Sequence, residues 1–203
     1  GVLDDYLEVL FPLISPKEQL LVFWDVDAPA TLAHLRANPD CGTRQFVKNC
    51  DLILTYGGGD RVIDSYQQVG AAACIPVYNA ADPETHFPVR EYHATRQYHL
   101  LFMGNRLPDR EQRITDFFFE AAQLLPRHQF ALAGSGWESF DLPSNVTRLG
   151  HAYTHQHNEL NGSALAVLNI SRNDMAQTGY SPATRVFEAA AAGACVITDE
   201  WEG

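Results

Sequence analysis

Residues 164–199, ALAVLNISRNDMAQTGYSPATRVFEAAAAGACVITD, decide the fold. They read as strand, polar loop, helix and strand, a single parallel crossover unit. The run Leu165–Ile170 is short and rich in Val, Leu and Ile, as a strand covered on both faces requires. Thr184 stands where it can cap a helix whose alanines favour helix, and Gly193 ends that helix. Cys195–Thr198 then re-enters the sheet. The chain is therefore read as α/β with parallel strands, and its chemistry is sought at their carboxyl ends, where open α/β sheets bind ligands.

Charge placement sharpens that reading. Arg172 leaves the carboxyl end of the first strand of this unit, and Arg185 lies in the first turn of the helix. A cation there opposes the helix dipole, at a place where unpaired N–H groups already attract anions. Both arginines thus point to a negative ligand, phosphate being the commonest. Glu188 follows Arg185 by three residues and shares its face. A carboxylate so placed suits the paired hydroxyls of a sugar while the arginines hold phosphate. An Arg185–Glu188 pair within the helix, with no ligand, explains the same residues equally well.

The segment LNISRNDMAQTGYSPATRVFEAAAAGACVITDE, residues 168–200, resembles the carboxyl-terminal domain of GT-B glycosyltransferases, in particular their CgeB-like branch. The shared features are strand, Arg, variable loop, Ser-Pro-x-x-Arg-x-Phe-Glu, small-residue helix and strand. The resemblance covers roughly residues 20–203 and is most specific after Leu100. It implies two Rossmann-like domains of GT-B type, with a nucleotide-sugar held mainly by the second. In the wider retaining superfamily two glutamates eight positions apart hold the donor sugar and the ribose. Glu188 matches the second of these, whereas Tyr180 stands at the first. Arg172 and Arg106 are implied to stabilise the diphosphate, and Arg185, Thr184, Gly104, Gly134, Gly150, Tyr180 and Asp27 to lie along the donor.

On this reading residues 1–83 are a partial amino-terminal Rossmann-like domain. Residues 84–97 are a linker, and residues 98–203 are a nearly complete nucleotide-sugar-binding domain truncated at its end. Leu3, Tyr6, Leu7 and Leu10 have helical spacing ahead of Pro12 and Pro16, and the chain reads as a fragment of a longer protein. Leu20–Trp24 is a strand followed by WDVDAPATL, where Asp27 either faces a ligand or caps the helix starting near Pro29. CDLILTY, residues 50–56, is a second strand. Gly57, Gly58 and Gly59 after it allow a close backbone approach, to a ligand or in a tight turn alone. Cys74–Val77 is a third strand.

Tyr98–Met103 opens the second domain, with Gly104 and Arg106 at its carboxyl end. Ile114, Phe117, Phe118, Ala121 and Leu125 form one apolar helical face, read as core. Gln129–Ala133 leads into Gly134, Ser135 and Gly136. Val146–Leu149 leads into Gly150 and His151, where residues 150–153 are implied to meet the base. Residues 158–164 form a short polar helix. His151, His155 and His157 lack a carboxylate or cysteine arranged to complete a metal site, so no metal is expected.

Composition bounds the partners. The chain has 203 residues, 46% hydrophobic and 19% charged, as ordinary for a globular α/β protein. A net charge of −11, from 14 basic and 25 acidic residues, argues against a nucleic-acid surface and requires local basic focusing for an anionic donor. Cys41, Cys50, Cys74 and Cys195 show no metal or disulfide spacing and read as reduced thiols of a cytoplasmic protein. The sequons at Asn145, Asn161 and Asn169 carry no meaning on that reading, and no membrane-length apolar run is present. The expected activity is glycosyl transfer from a UDP-, GDP- or dTDP-sugar to an unknown acceptor, with no cofactor, and the resemblance implies retention. A non-catalytic binding or assembly module and a nucleotide-sugar epimerase are the alternatives.

Overall fold

The structure, a computed structural model, describes Tyr6, Leu13, residues 20–94 and residues 96–203. Apart from Tyr6, the helical pattern at residues 3–10 lies outside the described residues. The chain separates into two compact units. The first comprises residues up to 78 with 174–182 and 201–203, and the second comprises residues 79–173 and 183–200. The division thus falls after Tyr78, and two later segments belong to the first unit. The stretch 84–97, read as a linker, lies in the second unit and contains a short helix, Arg90–Ala94.

In the first unit, β1 (Val22–Asp25), β2 (Leu52–Tyr56) and β3 (Cys74–Val77) form a parallel sheet in the order β1-β2-β3. Leu35, Val47, Ile53, Val62 and Tyr66 pack its core with the helices Ala28–Ala37, Gly42–Asn49 and Gly59–Val69. Asp25, not Asp27, is the anchoring carboxylate. It is buried and accepts hydrogen bonds from Tyr66 Oη, from Thr31 Oγ1 at 3.1 Å and from the Asp27 N–H at 3.0 Å. Burial raises its pKa, with those hydrogen bonds opposing the shift. Asp27 occupies the N-cap position of Ala28–Ala37 without a side-chain capping bond.

The glycine triplet serves a chain crossing within this unit. Gly57, Gly58 and Gly59 all have positive φ, and the Gly58 N–H donates to the Tyr180 carbonyl at 2.7 Å. A Cβ on Gly57 would lie 2.3 Å from that oxygen. Backbone cannot yield as a side-chain tip does, so only glycine fits there. Tyr180 itself has φ 48°, strained for a residue with a Cβ.

The second unit carries β4 (Tyr98–Met103), β5 (Phe130–Ala133), β6 (Val146–Gly150), β7 (Ala164–Asn169) and β8 (Val196–Thr198). All pairings are parallel, in the order β6-β5-β4-β7-β8. Strand order reverses between β4 and β7, which makes their carboxyl ends the place for a ligand. β4 shows why its carboxyl-terminal half, residues 100–103, is apolar. Phe102 packs in one cluster with Phe118, Phe130 and Trp137, while Leu101 and Met103 face another with Val167 and Ala189.

Three local expectations change. The helix after β4 is interrupted by a π-turn, Thr115–Phe119, between Pro108–Ile114 and Glu120–Leu124. The extra residue rotates the apolar face, so Ile114, Phe118, Phe119 and Ala122 are buried, whereas Phe117 is 53% and Leu125 46% exposed. The loop after β7 contains a helix, Asn173–Thr178, which belongs to the first unit from Asp174 onward. Thr184 is the first residue of helix Thr184–Ala191, with Ala183 as N-cap and no side-chain capping bond. All four cysteines are free, and burial pushes the Cys50 and Cys74 thiols up to about 11. Asn145, Asn161 and Asn169 are buried.

Asp199, directly after β8, ties the second unit together. Its carboxylate accepts from Arg113 Nη2 at 2.6 Å, from the Ser171 N–H at 3.1 Å and from Ser171 Oγ at 3.2 Å. Replacing it by alanine strands a partly buried guanidinium and a buried N–H. Asp199→Ala is expected to lose about 3 kcal/mol of stability, seen as a lower urea midpoint at unchanged slope. An unchanged midpoint would remove this role.

Candidate functional site

The loops at the carboxyl ends of β4, β5 and β6 are joined through glycines. The Gly104 N–H donates to Ala133 O at 2.8 Å, and the Gly134 N–H to Gly150 O at 2.7 Å. Trp137 Nε1 donates to Gly104 O at 2.9 Å. Gly134 has φ 127°, and a Cβ on it would lie 2.2 Å from Gly104 O. Gly150 has φ 75° but open space where its Cβ would stand. Gly104 and Gly134 therefore shape one surface.

Two cations, Arg110 buried and Arg185 partly buried, meet on that surface. A Cβ on Gly104 would lie 2.8 Å from both Arg110 Nη2 and Arg185 Nη2, so the guanidinium tips converge on one point. Both guanidiniums also lie over the Phe102 ring, at 5.5 and 5.3 Å from its centre. Arg110 is 7% exposed and donates to Asn105 O at 2.8 Å, while its Nε has no hydrogen-bond partner among the described residues. Arg185 Nη1 donates to Asn169 Oδ1 at 3.0 Å. Neither arginine forms an ion pair among the described residues. Burial first, and then Arg110, push the Arg185 pKa down to about 10, with Glu188 opposing. Arg110 is also lowered, chiefly by burial. Two unit charges roughly 5 Å apart repel by on the order of 3 kcal/mol at an effective dielectric of 20. An anion between them would reverse that sign.

The other cations at these strand ends have carboxylate partners. Arg172 Nε pairs with Asp109 Oδ2 at 2.6 Å, and Arg106 forms a two-point pair with Glu111 at 2.7 and 2.8 Å. Arg106, taken from the sequence as a phosphate ligand, thus has its guanidinium engaged. Arg110, four residues later, was missed. Pro108 starts a helix that turns Arg110 inward, which the polar run RLPDREQR does not reveal.

Glu188 stands on the same helix as Arg185, half-buried, one turn along. The two do not form the intrahelical pair that spacing allows. Glu188 instead faces imidazoles: Oε2 is 3.5 Å from His157 Nδ1, and Oε1 is 3.7 Å from His86 Nε2. Its pKa is lowered, first by His157, with burial opposing. His151 contacts Ser135 Oγ at 3.2 Å, and His155 stacks on Tyr153. The histidine triplet therefore does not gather. Among the described residues, the group able to hold an ion is His86, His157 and Glu188, whose ligand atoms lie within 4.8 Å of one another. Thr184 begins the helix that bears Arg185 and Glu188. Asp27 and Tyr180 belong to the first unit, where the Tyr180 ring lies near Gly59.

Residues 110–203 match the glycosyl transferase-like family. Solved structures extend the likeness in fold. HepE from Anabaena, solved with UDP-glucose, superposes with TM-score 0.65 at 18% identity, over 98% of this chain and 57% of that one. The same protein with UDP and glucose gives 0.68 at 15% identity, over 98% and 56%. Sucrose-phosphate synthase from Thermosynechococcus elongatus gives 0.64 at 11% identity, over 97% and 54%. The fold is thus that of GT-B, Rossmann-like glycosyltransferases, and the chain spans little more than half the length of these neighbours. No curated protein matches the sequence significantly.

Two outcomes follow from the charges. Arg185→Met removes a partly buried cation that faces another, so the protein should keep or gain thermal stability despite the lost bond to Asn169. A marked fall in melting temperature would make Arg185 a structural residue. For Glu188 the folded pKa lies below the usual value of 4.5. Its contribution is present above that pH and lost as pH falls through the folded value. Glu188→Gln should therefore flatten the acid limb of the stability–pH curve, as followed by urea unfolding.

Proposed function

We propose that this chain carries the donor-binding part of a glycosyltransferase that moves a sugar from a nucleoside-diphosphate-sugar to an acceptor. The convergence of Arg110 and Arg185 on Gly104, at the strand-order reversal, is the observation that carries the reading. These guanidiniums and the start of helix Thr184–Ala191 would take the diphosphate and stabilise the negative charge that grows as the glycosidic bond breaks. Arg172, paired with Asp109 after β7, would add positive charge at the same strand ends. Glu188 would accept hydrogen bonds from the ribose hydroxyls. Gly104, Gly134 and Gly150 would let backbone approach the nucleotide, with Tyr153 near the base.

The Ser-Pro-x-x-Arg-x-Phe-Glu run, residues 181–188, supports affiliation with the CgeB-like branch, and resemblance to the retaining superfamily supports retention of configuration, against which Tyr180 counts. The four free cysteines favour a reducing, cytoplasmic setting. No helix among the described residues is long and apolar enough to cross a membrane. The net charge of −11 favours a small anionic donor at a focused site over nucleic acid. A second reading, a binding module without turnover, is favoured by Tyr180 at the position of the family's first glutamate.

Calorimetric titration with UDP, GDP and dTDP tests the site. One of the three should bind, and Arg185→Ala should weaken it at least tenfold, about 1.4 kcal/mol. Absence of binding by all three ends the proposal. Donor hydrolysis without acceptor separates enzyme from binding module.

A further inference from the structure

Resting on the assignment of Glu188 to the ribose, we propose that His157 and His86 are positioning residues that fix the Glu188 carboxylate and so set the preference for a nucleotide bearing both ribose hydroxyls. Each imidazole faces a different carboxylate oxygen, His157 on Oε2 and His86 on Oε1. The two rings lie 5.7 Å apart. His86 is 7% exposed, and neither of its ring nitrogens has a hydrogen-bond partner among the described residues. A buried imidazole without hydrogen bonds is costly, and the carboxylate is the polar group it faces.

Both histidines are held by one device. His157 opens the helix His157–Gly162, and its neighbour Asn158 bonds the chain on each side of His86. Asn158 Nδ2 donates to Thr85 O at 3.0 Å, and the Phe87 N–H donates to Asn158 Oδ1 at 3.2 Å. Asp82 adds a turn before it: its carbonyl accepts from the His86 N–H at 2.7 Å, and its carboxylate from Thr85 Oγ1 at 2.8 Å. The segment DPETHFP, residues 82–88, is thereby locked to the helix that carries His157. A glutamate has three rotatable bonds, and fixing them before a ligand arrives lowers the entropy lost on binding. Each oxygen retains a further lone pair for a hydroxyl.

The test compares UDP with 2′,3′-dideoxy-UDP, by calorimetry on wild type and on His157→Ala, His157→Asn, His86→Gln, Asn158→Ala and Glu188→Ala. His157→Ala and Asn158→Ala should each weaken UDP about tenfold and leave the dideoxy nucleotide within about twofold. His157→Asn, which keeps a donor near the Nδ1 position, and His86→Gln, which keeps one near Nε2, should retain most of the UDP affinity. Equal loss for both nucleotides, or no loss for either, while Glu188→Ala still weakens UDP, overturns the positioning role and leaves the ribose assignment standing. If Glu188→Ala changes nothing, the ribose assignment itself falls and the positioning role with it. Tight one-to-one binding of Zn²⁺ to the wild type, lost in His86→Gln, would instead make the trio a metal site and overturn the proposal.

Discussion

The second unit is arranged around two guanidiniums held against one aromatic ring. Arg110 and Arg185 are 75 residues apart in sequence, yet both lie over Phe102 and reach the space where a side chain on Gly104 would stand. Neither has a carboxylate partner at ion-pair distance among the described residues. Such a pair is unfavourable by itself, and the aromatic face, Asn105 O and Asn169 Oδ1 offset only part of the cost. The glycine at position 104 is what makes room for both tips.

Around that point the charged side chains differ in burial. Pairs formed by Arg106 with Glu111 and Arg172 with Asp109 retain about a third of their exposure. In such surroundings a close pair contributes little to stability, so these bonds orient loops more than they hold the fold. Asp199 differs: it is nearly inaccessible and secures both Arg113 and the turn after β7. The turn that leads to Arg172 is therefore secured by Asp199.

Glu188 shows why helical spacing alone misassigns partners. Three residues from Arg185, it was open to an intrahelical pair. Arg185 turns instead toward Asn169 and Phe102, and Glu188 toward two histidines from segments about 30 and 100 residues earlier. The same holds for the helix after β4. Its apolar residues were visible, but the π-turn moved burial from Phe117 to Phe119. Period counting assumes an unbroken helix, and one extra residue defeats it.

The order of the strands, the parallel sheets, the glycines at the strand ends and the placing of Arg185 and Glu188 on one helix were legible in the sequence. Each follows from short-range rules: apolar runs of strand length, glycine where backbones meet, and charges near a helix start. Tertiary structure alone decided that Arg110 rather than Arg106 is buried, that Asp25 rather than Asp27 anchors its turn, and that Gly57–Gly59 receive Tyr180. It alone joined His86 and His157 to Glu188. These outcomes depend on which atoms lose water and which distant segment fills the space beside them, and no local pattern encodes either.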